Sequence, residues 1–392
     1  MTEPAEGRAW RNVWVMSLTI VGTITALYSW NRVISLHLRD LGASDREIGW
    51  SYFCFTLAYR LPQILGGALT DRLGRKAIVV AGTFGMAAGY VLVGLAPRWD
   101  QVVAAICLVW MIGALQWPAL AAMVAESVPE NERGRAMGLL EAGSMIGLTL
   151  GPLIGERVCA VEPLSRAWRH LLLGSMAVYS LCGCARWALL RETRAQTPET
   201  QGPAAFPWRA VLLPLAVTVF TFATFFLTTD GPVLGLYVKD DVGGGPETVQ
   251  TVGFYGGLAA IAGALGAGFL ADRLGAGRTM LLTSVVSAFL IAPMAAGLFK
   301  PRSELTLFAL LFIPGEAYIV AYQKLITSLA PRSRRGLSVG VVGSAVGLAA
   351  SWAMVLGGEL YTRGHRLPFV AALTVQVAAV LVGLTLLRRR YN

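Results

Sequence analysis

Apolar stretches of similar length follow one another along this chain, and short polar segments separate them. A helix of about 20 apolar residues, rising about 1.5 Å per residue, crosses the roughly 30 Å hydrocarbon layer of a bilayer. A window of that length therefore predicts twelve transmembrane helices, at residues 12–34, 47–69, 77–96, 101–125, 135–159, 168–190, 209–237, 250–270, 279–298, 304–328, 336–360 and 367–388.

Composition supports a location in lipid. Of the 392 residues, 55% are hydrophobic and 14% are charged, whereas about 25% of the residues in a soluble domain are charged. This excess of apolar residues needs lipid as its solvent.

The net charge of +10 would also suit a nucleic-acid partner, so the placement of the basic residues decides between the two. With the N-terminus inside, most of the 33 Lys and Arg residues fall in cytoplasmic segments, with clusters at 72–76, 332–335 and 388–390. In this positive-inside pattern, basic residues orient the chain and contact anionic lipid. We predict a multi-pass protein of the cell (inner or plasma) membrane, with both termini cytoplasmic and no nucleic-acid binding.

An internal repeat organises the chain. The segment 67–76 recurs at 268–278, with its Gly, Asp, Arg and Gly at a constant offset of 201 residues. The segment 129–138 recurs at 331–340 with an offset of 202 residues. The chain is therefore predicted to consist of two related halves.

The repeat predicts an N-terminal six-helix bundle at 1–190, a polar cytoplasmic linker at 191–208 and a C-terminal six-helix bundle at 209–392. Because six is an even number, both halves have the same orientation across the membrane, as in transporters built from parallel repeats. Substrate sites in such proteins lie near the midplane, at the interface between the repeats.

The segment 67–76, GALTDRLGRK, resembles the signature loop between helices two and three of the major facilitator superfamily. The resemblance extends over essentially the whole chain. It implies an all-α membrane protein of twelve transmembrane helices in two parallel six-helix repeats, the major facilitator fold. It also implies a secondary transporter that works by alternating access.

The same resemblance implies a cytoplasmic gate at this loop and at its repeat. Glycines allow the two helix ends to approach closely and turn sharply. A carboxylate at a helix end accepts charge-assisted hydrogen bonds from a neighbouring arginine or caps a helix N-terminus. The alternative is that these charges only end helices and fix topology. The predicted gate residues are Gly67, Asp71, Arg72, Gly74, Arg75, Glu126, Asp272, Arg273 and Arg278.

Predicted helix five carries Gly147, Gly151, Pro152 and Gly155. Small residues four apart form a flat face for close helix packing, and proline frees a backbone carbonyl. The pattern resembles the helix-five signature of drug/proton antiporters in the superfamily, which favours export; plain packing is the alternative. Unlike that branch, helix four carries no arginine, because residues 99–132 contain neither Lys nor Arg. Proton coupling by that route is therefore not predicted.

Ionisable residues inside membrane helices are costly, so they indicate function. Arg60 and Glu316 are predicted near the midplane, and Arg32 and Asp230 are predicted to pair toward the outer end or to point separately into the aqueous cavity. Burial disfavours the charged form of a carboxylate, which makes Glu316 the leading candidate for protonation. Aromatic and amide residues could complete the pathway, although many Tyr residues belong to interfacial belts. The predicted substrate and proton pathway comprises Arg32, Arg60, Asp230, Glu316, Glu141, Tyr59, Gln116, Tyr318 and Gln323.

Motifs for other chemistry are absent from the sequence. There is no phosphate-binding loop of the Walker type and no His-Glu-x-x-His zinc motif, and the three histidines are scattered. We predict no cofactor, no metal and no enzymatic activity. The expected partners are a small-molecule substrate, protons and the lipid bilayer, and the expected oligomeric state is a monomer. The leading hypothesis is a proton-coupled exporter of small amphipathic compounds. Proton-coupled uptake of an anionic metabolite and a non-transporting receptor are the alternatives.

Overall fold

The computed structural model describes residues 5–129, 132–193, 208–329 and 335–391, and every regular element within those ranges is helical. The chain divides into two compact units. The first contains Met1–Leu41 and Leu57–Glu199, and the second contains Gly42–Thr56 and Thr200–Asn392. The predicted bundle boundaries stay a prediction.

Eight α-helices lie in the described residues before residue 194. They are α1 (Ala5–Asn31), α2 (Ile34–Asp40), α3 (Asp45–Arg60), α4 (Pro62–Leu73), α5 (Arg75–Leu95), α6 (Trp99–Glu126), α7 (Arg133–Val161) and α8 (Leu164–Leu189).

Eight further helices lie in the described part of the chain after residue 207. They are α9 (Trp208–Leu227), α10 (Val233–Tyr237), α11 (Pro246–Arg273), α12 (Ala276–Ala296), α13 (Pro301–Leu310), α14 (Phe312–Leu329), α15 (Arg335–Arg363) and α16 (Leu367–Tyr391). A π-helical turn, Val238–Val242, follows α10 directly.

Ten helical spans among the described residues are long and apolar enough to cross a membrane. The other two predicted stretches, 47–69 and 209–237, are also largely helical but interrupted. The first breaks at Leu61, because Pro62 lacks the N–H group that would continue the α-helical ladder. In the second stretch, the apolar part of α9, Pro214–Leu227, is shorter than a membrane span, and it ends before a turn that leads into α10. The count of twelve membrane crossings therefore stays a prediction.

Packing within each unit repeats the same plan. In the first unit, α1 packs against α7 and α8, and α5 packs against α6 and α8. In the second unit, α9 packs against α15 and α16, and α12 packs against α14 and α16. These helices correspond one to one under the sequence repeat, so the duplication is visible in three dimensions.

The small-residue face of α7 lies directly against α1. A Cβ atom at Gly151 would lie 2.7 Å from the carbonyl oxygen of Thr25 and 2.7 Å from the Cβ of Tyr28. At Gly147 it would lie 2.7 Å from the Cβ of Ile24. The motif glycines Gly147 and Gly151 therefore give α1 and α7 backbone-to-backbone contact, which larger residues would prevent.

Replacing Gly151 with alanine is expected to lower the free energy of unfolding by about 1–2 kcal/mol, because the new methyl group meets rigid backbone rather than a movable side chain. Gly174 of α8 is the matched control, since a Cβ there meets no atom within 4 Å. Gly174→Ala should be neutral or stabilising, because alanine is the better helix former. Thermal unfolding of the purified variants in detergent measures both. Equal melting temperatures for the two variants would contradict the expected packing.

Candidate functional site

The first signature loop forms a tight junction between α4 and α5. Gly74 joins the helices with φ 93° and ψ 155°, a conformation that favours glycine over residues with a side chain. Arg75, the first residue of α5, is buried. Its Nη2 lies 3.1 Å from Oε1 of Glu126 at the end of α6, and its Nη1 donates to the carbonyl of Thr70 at 3.3 Å. The loop therefore ties three helices together at one end of the first unit.

A carboxylate that follows α8 in the sequence completes the junction. Glu192 accepts hydrogen bonds from the backbone N–H groups of Arg75 at 2.9 Å and Lys76 at 3.1 Å. It thus satisfies two donors at the N-terminus of α5, where the preceding glycine has no side chain to cap them. The hydroxyl of Thr193 donates to Glu126 at 3.0 Å. The start of the predicted linker therefore contacts two of the predicted gate residues, Arg75 and Glu126.

The second signature loop has the same turn but a different ion pair. Gly275 adopts φ 84° and ψ 153°, close to the values at Gly74. Asp272 pairs with Lys324 of α14, with 2.5 Å between Oδ1 and Nζ, and the same ammonium donates to the carbonyl of Ala271 at 3.0 Å. The guanidinium of Arg273 lies 4.0 Å from the ring centroid of Phe269. In this copy the loop supplies the acid, whereas in the first copy it supplies the base.

The remaining predicted gate residues are placed by their exposure or by their position in a helix. Arg72 and Arg278 are exposed on the last turn of α4 and the first turn of α12. The side chain of Asp71 and the surroundings of Gly67 lie outside the described residues. The role of all these residues in gating stays a prediction.

Predicted pathway residues of the first unit fall into two settings. Tyr59 and Arg60 are half-buried, with the guanidinium 5.5 Å from the tyrosine ring centroid, and Tyr59 packs edge-to-face on Trp110. Gln116 is buried and donates to Val79 O at 3.1 Å and to the hydroxyl of Thr83 at 2.9 Å. Two other predicted residues lie apart from this group, Arg32 half-buried 5.5 Å from the ring centroid of Tyr28 and Glu141 exposed on α7.

In the second unit, Glu316 is half-buried on α14, and Gln323 and Asp230 are exposed. Tyr318 is packed in the interior of the unit, where its hydroxyl lies 2.9 Å from that of Thr218. The Arg32–Asp230 pair would join the two units and stays a prediction.

A cavity of about 90 Å³ lies inside the first unit. Helices α1, α5, α6 and α8 line it, together with Tyr59 of α3. Arg186 is among the lining residues; it is 1% exposed, and within the described part of the chain its guanidinium donates to the hydroxyls of Thr19 and Thr83. Arg186 is not among the residues predicted from sequence, since a basic residue at the end of a membrane helix usually contacts lipid heads. A buried arginine thus reaches the Gln116–Thr83 hydrogen bond from α8, although α6, the helix at the predicted fourth membrane span, has no basic residue.

Comparison with known proteins identifies the family. The family model described as Major Facilitator Superfamily matches residues 15–231 and 218–392, nearly the whole chain. The chain belongs to the Major Facilitator Superfamily. The resemblance seen in the segment 67–76 is confirmed, and so is the fold class, an all-α membrane protein with the major facilitator fold.

Relatives of the chain include proteins named for multidrug resistance. The chain is 28% identical over 312 residues to the multidrug resistance protein MdtG of Yersinia enterocolitica, covering 75% of this chain and 73% of that protein. It is also 28% identical over 282 residues to MdtG of Proteus mirabilis, covering 67% of each.

Solved structures agree in fold. A bacterial homologue of the human lysosomal transporter Spinster, in an inward-facing and unoccupied conformation, superposes with a TM-score of 0.74 at 14% identity, covering 99% of this chain and 98% of that one. A bacterial homologue of the iron transporter ferroportin, in an inward-facing state, gives 0.76 at 12% identity, covering 96% and 98%. The protein is a multi-pass membrane transporter of the superfamily, a family of transporters rather than enzymes.

Proposed function

We propose that this transporter exports small amphipathic compounds from the cell by alternating access, in exchange for protons. The observation that carries the proposal is the match, over three quarters of the chain, to a relative named as a multidrug resistance protein. The close α1–α7 seam at Gly147 and Gly151 supports it, since that motif resembles the helix-five signature of exporters. The chain acts as a monomer in the inner membrane with both termini cytoplasmic, as the basic clusters indicate.

The two signature loops act as the cytoplasmic gate. The exposed pair Lys324–Asp272 forms and breaks at modest cost where water reaches it, whereas the buried guanidinium of Arg75 makes the Arg75–Glu126 pair costlier to break. Glu192 holds the N-terminus of α5 in position, so that the Arg75 side chain is aimed at its partner. Movement at the gate therefore involves the start of the 191–208 linker as well as the loops.

Proton coupling is assigned to Glu316. It is half-buried on a helix that crosses the apolar layer, where a carboxylate that alternates between charged and neutral forms can link proton entry to a change of state. Glu141 and Asp230, both exposed, are the weaker candidates.

The proposed function is tested in proteoliposomes that contain the purified protein. Counterflow is measured with a panel of lipophilic cations and with a panel of organic acids, with and without a protonophore. Protonophore-sensitive movement of amphipathic compounds is expected, with the direction of the imposed proton gradient deciding the direction of transport. Uptake limited to hydrophilic acids would favour the uptake alternative. Absence of counterflow with either panel, in protein that remains folded, would favour the receptor alternative.

A further inference from the structure

The guanidinium of Arg186 is a buried cation that has no counter-ion among the residues that the structure describes. Its Nε donates to the hydroxyl of Thr19 at 2.9 Å and its Nη1 to the hydroxyl of Thr83 at 2.7 Å. Both hydroxyls donate their own protons to backbone carbonyls, so each contributes only a neutral acceptor. Among the described residues no carboxylate pairs with Arg186, and its Nη2 has no hydrogen-bond partner. An uncompensated charge of this kind is costly in the interior of a membrane protein.

The unpartnered nitrogen belongs to a residue that lines the cavity of the first unit. Trp110 lines the same cavity, and its buried indole Nε1 also has no acceptor among the described residues. Two residues with an unsatisfied N–H donor, one of them charged, thus line one small space. A negatively charged acceptor within that space would satisfy both kinds of donor.

The other residues that line the cavity indicate which chemical group the ligand carries beside its negatively charged acceptor. Ile20, Ile24, Leu27, Met86 and Leu120 give the cavity an apolar wall. Its volume of about 90 Å³ is smaller than the roughly 150 Å³ that accommodates benzene in an engineered protein cavity. A carboxylate and the first few carbons of an aliphatic chain match this space.

We propose that this cavity binds the carboxylate end of a small amphipathic acid, with Arg186 as its counter-ion and Trp110 as a second donor. The apolar part of the acid lies along Ile24 and Leu120. The proposal deepens the proposed function, on which it rests for transport, by adding short aliphatic acids to the compounds that the exporter recognises. Binding is measured without transport, so the two proposals fail separately.

The test uses the purified full chain in detergent, with hexanoate as the probe and its neutral isostere hexanamide as the control, at constant ionic strength. Hexanoate should raise the melting temperature in a saturable manner and hexanamide should not. Trp110→Phe keeps the ring and removes the N–H donor, and should weaken the hexanoate affinity about three- to tenfold. Arg186→Met should abolish the hexanoate shift, and Arg186→Lys should retain part of it.

Three outcomes would overturn the proposal. One is an equal shift with hexanamide, which would indicate that charge is not recognised. The second is an equal shift with chloride at the same concentration, which would indicate a site for inorganic anions only. The third is unchanged hexanoate affinity in Trp110→Phe and Arg186→Lys, which would place the acid elsewhere even if Arg186→Met fails to fold. None of these three outcomes would contradict the proposed export of lipophilic cations, which is tested separately by transport in proteoliposomes.

Discussion

Replacing Glu304 with glutamine is expected to lower the free energy of unfolding by about 2–3 kcal/mol. Glu304 of α13 is fully buried, and its Oε1 accepts a hydrogen bond from Nη1 of Arg366 at 2.7 Å. Its other oxygen accepts a hydrogen bond from the hydroxyl of Tyr237. A neutral amide cannot balance the guanidinium. The loss stays below the roughly 3–5 kcal/mol of a fully buried pair, because the Arg366 side chain is 34% exposed and water solvates part of its charge.

Thermal unfolding in detergent, with Glu162→Gln as the matched control, measures this loss. Glu162 pairs with His170, and the two side chains are 31% and 57% exposed, so that substitution should change stability by less than about 0.5 kcal/mol. The double variant Glu304→Met with Arg366→Met should recover most of the loss, since no charge is left unpaired. A melting temperature for Glu304→Gln as high as that of Glu162→Gln would contradict the assigned role of the pair.

Replacing Glu316 with glutamine is expected to reduce proton-driven transport to the level of liposomes without protein, while substrate binding persists. Glutamine keeps the size and hydrogen-bonding capacity of the side chain but cannot exchange a proton. The experiment imposes a pH gradient on proteoliposomes and follows transport, with binding of the same compound measured on the purified variant.

Glu141→Gln provides the comparison, because Glu141 is exposed on α7 and is a weaker candidate for coupling. It should retain gradient-driven transport. If Glu316→Gln keeps the pH dependence of the unmodified protein, coupling does not run through Glu316. If Glu141→Gln is the variant that loses it, the coupling residue lies in the first unit.

Backbone features were the part of this molecule most accessible from sequence. Gly74 and Gly275 were recognised because a glycine at a helix junction has few roles, and both do occupy the left-handed half of conformational space. Gly147 and Gly151 were recognised because their spacing places them on one helix face, and both contact the backbone or Cβ atoms of α1. These signals are local, so a single segment of sequence contains them.

Partners distant in sequence could not be predicted. Glu192 caps a helix 117 residues before it, and Glu304 pairs with an arginine 62 residues after it. Whether Arg186 points into the bundle or toward lipid depends on the rotation of α8 about its axis, which a helix with apolar residues on all sides does not specify. Gly49 and Gly358 are a similar case, since a Cβ at Gly358 would lie 3.0 Å from the Cα of Gly49, within the second unit. Their pairing becomes visible only once α3 and α15 are packed.

The junctions at Gly74 and Gly275 also record how the chain evolved. Their backbone angles differ by only a few degrees, but the ion pairs beside them have opposite polarity, with Arg75 on one loop and Asp272 on the other. After a duplication, an ion pair can be rebuilt with either sign on either helix, whereas a left-handed turn has no good substitute for glycine. The two copies therefore keep the backbone conformation of the turn, whereas the charges of the residues beside it differ. The two loops are not interchangeable: a copy of the first loop in the second position would bring an arginine to the place of Ala276, beside a loop whose own acid, Asp272, is already paired with Lys324.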